Sequence, residues 1–78
     1  MIICKRDYLI RDLESLGDKG AYYYEDDFWI TRSPIGGYTV VCIKLHQVEH
    51  FSNAERVVDF LSRYDKSIGK MCYQINIS

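Results

Sequence analysis

Apolar positions along the chain repeat at two different spacings. Leu9, Leu13 and Leu16 fall four and three residues apart, which puts them on one face of a helix over residues 5–16. Arg6, Asp7, Arg11, Asp12 and Glu14 cover much of the rest of its surface. Gly17 follows where helices commonly end in a left-handed residue. Further on, Ser52-Asn53-Ala54-Glu55 spells the S-x-x-E capping box, in which each side chain satisfies a free backbone donor. A second helix is predicted from there to about Tyr64. Its stripe is Val57, Leu61 and Tyr64, widened by Ala54, Val58 and Phe60.

Between the helices the period changes to that of strands. Residues 21–32 are rich in aromatic and β-branched types. Two short strands joined at Asp26-Asp27 suit them better than one kinked strand, because Asp favours turns. Ser33-Pro34-Ile35-Gly36-Gly37 is the strongest break in the chain. Residues 38–46 alternate, with Thr39, Val41, Ile43 and Leu45 expected on the core face and Tyr38, Val40, Cys42, Lys44 and His46 on the other. Residues 71–77 alternate again: Met71, Tyr73, Ile75 and Ile77 against Cys72, Gln74 and Asn76. Met1 to Cys4 reads as a short strand or a loose lead. The order is thus helix, two or three strands, helix, strand. The short link before the central strand implies an antiparallel hairpin. The expected fold is α+β: a small antiparallel sheet of three or four strands with two helices packed on one face.

Seventy-eight residues hold one core, so residues 1–78 are expected to form a single domain. Ten basic and eleven acidic residues give a net charge of −1, and the basic ones are scattered rather than clustered. That removes the usual electrostatic reason to expect a nucleic-acid partner. Seven of the eleven aromatic residues are Tyr, whose apolar ring and polar tip suit half-buried sheets and binding surfaces alike. Cys4, Cys42 and Cys72 are odd in number and far apart, which is not a disulfide framework. With no signal peptide and no apolar run of membrane-spanning length, the expected setting is the reducing cytoplasm with all three thiols free.

The search for chemistry finds little. His46-Gln47-Val48-Glu49-His50 spells H-x-x-E-H, an inverted zinc-peptidase motif. That motif works only on a helix, where two His four apart share a face, whereas this string ends a predicted strand. Cys42, His46 and His50 offer the right ligand types for structural zinc, with Cys4 or Cys72 as a fourth, but match no usual zinc spacing. A nucleophilic Cys42 would need His46 within hydrogen-bond reach, and four residues of strand separate them by ~13 Å. No Gly-rich phosphate loop is present. No catalytic residue, cofactor or metal is therefore expected.

The segment that stands out is Tyr22-Tyr23-Tyr24-Glu25-Asp26-Asp27-Phe28-Trp29. Alternation sends Tyr22 and Tyr24 one way and Tyr23 and Glu25 the other, so at least one Tyr should face solvent. Exposed aromatics anchor protein interfaces, and the three carboxylates suit a basic partner, including one that normally holds nucleic acid. The expected binding residues are Tyr22, Tyr23, Tyr24, Glu25, Asp26, Asp27 and Trp29. The expected function is a non-enzymatic protein-binding inhibitor or regulator, a small phage anti-defence protein of the anti-CRISPR kind on grounds of size and type. The alternative is a small nucleic-acid-binding regulator, such as a repressor or antitoxin component, whose sheet aromatics stack on bases. Pairing of free sheet edges into a homodimer is a further expectation.

Overall fold

A computed structural model describes residues 2–74. Strand β1 (Ile2–Cys4) runs directly into helix α1 (Lys5–Glu14). Four strands follow: β2 (Ala21–Tyr24), β3 (Phe28–Arg32), β4 (Tyr38–Cys42) and β5 (Gln47–Phe51). Helix α2 (Ala54–Leu61), a 3-10 turn (Lys66–Gly69) and strand β6 (Cys72–Gln74) complete the order. Strands β2 to β5 form an antiparallel meander in sequence order. The fold is α+β, as the periodicity predicts: one four-stranded sheet with two helices over one face. Among the described residues no helix is long and apolar enough to cross a membrane.

The core lies between the helices and the inner face of the meander. Leu9 and Leu13 of α1 and Ala54, Val57, Val58 and Leu61 of α2 are buried against Tyr24, Phe28, Ile30, Tyr38, Val40 and Cys42. Complete burial of an Ile or Leu side chain contributes about 1.5–3 kcal/mol, so Leu13, Ile30 and Leu61 carry much of the stability. A chain of ring contacts closes the end near α2. Phe28, Phe51 and Tyr64 each pack on Phe60, with centroids 5.1–6.1 Å apart. Tyr38 donates its hydroxyl to the Leu13 carbonyl at 2.9 Å, a second bond to an oxygen that also accepts from the Leu16 amide at 3.1 Å. Arg32 donates to the same hydroxyl at 2.8 Å.

Four details depart from the sequence reading. First, β4 is turned over: Tyr38, Val40 and Cys42 face the helices, while Thr39 and Val41 face away. Both sides of this strand are apolar, so hydrophobicity could not choose between them. Second, the strand over 38–46 ends at Cys42, and residues 47–51 form β5 instead of a connection to the helix. His46 makes the turn at φ 54°. Third, the cap of α2 is Asn53, whose side chain accepts from the Arg56 amide at 2.9 Å, so the capping box does not start at Ser52. The helix also stops at Leu61, leaving Tyr64 exposed. Fourth, β6 pairs with β1 in a separate antiparallel ribbon and not with the main sheet. The expected strand positions Ile75, Asn76 and Ile77 lie outside the described residues.

Gly36 and Gly37 turn the chain between β3 and β4 at φ 100° and 75°. A Cβ on Gly37 would fall 2.2 Å from the Phe51 carbonyl oxygen, so only glycine lets β5 close beside this turn.

Candidate interaction surface

The helices cover one face of the meander and leave the other bare. Register places Tyr23, Trp29, Val41 and Val48 side by side across all four strands. Neighbouring strands lie about 4.8 Å apart, so this apolar row is about 14 Å long. Tyr23 is 63% exposed, Trp29 40% and Val48 57%, with Val41 half-buried between them. The Tyr23 and Trp29 rings stack across the strands, their centroids 6.1 Å apart and their planes within 2°. The stack holds both rings in one orientation before any partner arrives. A parallel row of Ala21, Thr31, Thr39 and His50 flanks the first, with Thr39 Oγ1 and His50 Nδ1 sharing a hydrogen bond of 3.1 Å. These eight outward residues include no Asp, Glu, Lys or Arg.

The hairpin between β2 and β3 carries the charge. Glu25 and Asp26 both take the left-handed conformation, at φ 56° and 62°. The Asp27 amide donates to the Tyr24 carbonyl at 3.2 Å and closes the turn. Two successive left-handed residues mark the tight hairpin geometry usually built from Asn-Gly. Glu25, Asp26 and Asp27 are all exposed, so the three carboxylates project at the tip of the hairpin that holds the ring stack.

Not all of the expected binding segment lies on this surface. Tyr24 is only 5% exposed and belongs to the core. Its hydroxyl donates to the Asp65 carboxylate, which the Lys5 ammonium also meets at 3.2 Å. Burial, then the bond to Asp65, pushes the Tyr24 hydroxyl up to about 12. Tyr22 is half-buried on the same inner side, its hydroxyl 3.5 Å from Asp12 Oδ2. The surface therefore keeps Tyr23, Trp29 and the three acids, and loses Tyr22 and Tyr24. It gains Val41, Val48 and His50, two of them from a strand the sequence reading missed. A signal for that strand did exist, since Val48 and His50 alternate with Gln47 and Glu49. It was obscured because the turn before it holds no Gly, Asn or Pro.

The candidate metal ligands are not brought together. Cys42 is buried on the inner face, His50 stands on the outer face, and His46 lies in the turn between β4 and β5. The H-x-x-E-H string thus runs through a turn and a strand, not a helix. Among the described residues no three His, Cys, Asp or Glu side chains gather as a metal would require. Arg32 and Lys44 do not serve the outer face either, since Arg32 stacks on Tyr38 at 4.9 Å and Lys44 lies in the turn after β4. No family model matches the chain, and no curated protein or solved structure matches it at a significant level.

Proposed function

We propose that this domain is a non-enzymatic protein-binding module that inhibits or regulates a larger partner by covering a basic surface on it. The observation that carries this reading is the bare apolar row Tyr23–Trp29–Val41–Val48, which runs up to three carboxylates at the hairpin tip. The ring stack supplies a rigid anchor with little rotamer entropy left to lose. The carboxylates steer the approach and set its orientation on a positive partner. The partner surface fitting this description is one that otherwise holds nucleic acid, and occlusion is the mechanism. Small size fits a phage inhibitor of host defence, of the anti-CRISPR kind, working in the cytoplasm.

Stacked exposed rings also suit the faces of nucleic-acid bases. Among the described residues the outward face carries none of the cations that a phosphate backbone needs, and the adjacent tip would repel it. Protein binding is therefore the stronger reading.

Both can be tested together. Tyr23→Ala with Trp29→Ala removes the anchor, and Glu25→Lys with Asp26→Lys and Asp27→Lys reverses the tip. Cross-strand pairs are worth only about 0.2–1 kcal/mol, so both variants should keep the circular dichroism of the wild type. The wild type should capture a protein with a basic face from lysate of its source cells. The ring variant should lose at least about tenfold in affinity, the loss of one interface anchor. The tip variant should associate more slowly. Capture unchanged in both variants, or a gel shift with RNA or DNA that weakens steeply with salt, would overturn the reading.

A further inference from the structure

The ribbon of β1 and β6 brings two cysteines face to face. Its register pairs Cys4 with Cys72, and their sulfurs lie 3.8 Å apart on an exposed part of the surface. The Lys5 amide donates to the Met71 carbonyl at 2.8 Å, making that neighbouring position a hydrogen-bonded pair. Cys4–Cys72 is consequently a non-hydrogen-bonded pair, the kind in which opposed side chains come closest. The Cα atoms of such pairs sit about 4.5 Å apart, inside the roughly 4.4–6.8 Å that a disulfide bridges. Side-chain rotation is enough to bring the sulfurs to the bonded separation of about 2.05 Å. Two unrelated positions, 68 residues apart in sequence, meet in this way only because the ribbon aligns them.

We infer that Cys4 and Cys72 are a reversible disulfide site, a redox modification that fastens β1 to β6. The oxidant is a low-molecular-weight disulfide of the glutathione type. One cysteine thiolate attacks a sulfur of oxidised glutathione, forming a mixed disulfide and releasing one glutathione thiolate. The second cysteine thiolate then displaces the other glutathione and closes the protein disulfide. The protein gives up two protons and two electrons, and these appear as two molecules of reduced glutathione. Cys42 takes no part, because it is buried on the inner face of β4, away from the β1–β6 ribbon. The odd cysteine therefore does not scramble the pair. The hydrogen bond with Cys72 raises the Cys4 thiol above its ordinary range. Less of the thiol is therefore ionised at neutral pH, which slows the first attack on glutathione without preventing it.

The experiment equilibrates the folded chain in buffers of oxidised and reduced glutathione, quenches with acid, and maps the products by mass spectrometry of unreduced peptides. The expected product is one linked peptide pair containing Cys4 and Cys72, reversed by excess reduced glutathione. Oxidation should raise the melting midpoint by roughly 10–20 °C, as expected for a cross-link closing so long a loop. Cys4→Ser and Cys72→Ser should each melt like the reduced wild type and show no shift under oxidant, while Cys42→Ala should still form the bridge. Stable glutathione adducts on Cys4 or Cys72 with no bridge would overturn the inference. A bridge involving Cys42, or two thiols that stay free under oxidised glutathione alone, would do the same.

Discussion

Glu25 and Asp26 stand at φ 56° and 62°, a region where a Cβ crowds the following carbonyl. Glycine would sit there without strain, yet the chain places two acids side by side. Strain of this kind persists where the side chains are needed for something else. Replacing Glu25→Gly and Asp26→Gly together should therefore stabilise the domain by about 0.5–1 kcal/mol in urea titration while weakening partner capture. A loss of stability would show that the acids support the turn instead of straining it. Strand alternation separates Tyr24 from Tyr23 onto opposite faces, but it does not say which of the two faces is buried. Sequence did not reveal which side of β4 is buried. Val40 and Val41 are equally apolar, and it is the burial of Tyr38, Val40 and Cys42, with the Tyr38 hydroxyl bond to the Leu13 carbonyl, that shows which face meets the helices.

At the scale of elements, one polar cluster joins α1, β2 and the 3-10 turn. Lys5 Nζ meets Asp65 Oδ2 at 3.2 Å and Ser67 Oγ at 3.0 Å, while Asp65 Oδ1 accepts from the Ser67 amide and hydroxyl. Ser67 and then Tyr24 hold the Asp65 carboxyl well below its ordinary 3.8. That contribution to stability is complete above pH 3.8 and fades as the pH falls below it. Tyr24 and Asp65 hold the Lys5 ammonium above its ordinary 10.5, so its contribution is complete below that pH and fades above it. Tyr24, raised to about 12, ionises more readily in the unfolded chain and weakens the fold above pH 10. Stability should form a plateau from about pH 5 to about pH 10 and fall on both sides. Asp65→Asn should flatten the acid limb and cost about 1–2 kcal/mol at neutral pH. Chemical denaturation across pH checks this, and an unchanged acid limb would remove Asp65 from its cause. Sequence periodicity located both helices, because each buries a regular stripe. It missed β5, an edge strand exposed at Gln47, Val48, Glu49 and His50, where no buried face enforces a pattern.

The whole molecule combines two kinds of connection. In the meander each strand pairs with its neighbour in sequence, so every hairpin needs only a short loop to close. The ribbon instead joins the beginning of the described chain to its end. Among the described residues it holds three residue pairs, and Ile2, Cys4 and Cys72 are exposed within it. Such a contact is paid for in loop entropy and returns little buried surface, so it belongs among the first parts to fray. We predict that the Lys5 amide, donated to Met71, exchanges its proton for deuterium well ahead of the Ile30 and Val40 amides in the central strands. Equal rates would mean that the ribbon opens only when the entire domain does. A domain built this way breathes at its seam while its sheet stays rigid, so a protease or chaperone would first gain a hold where the two distant strands part.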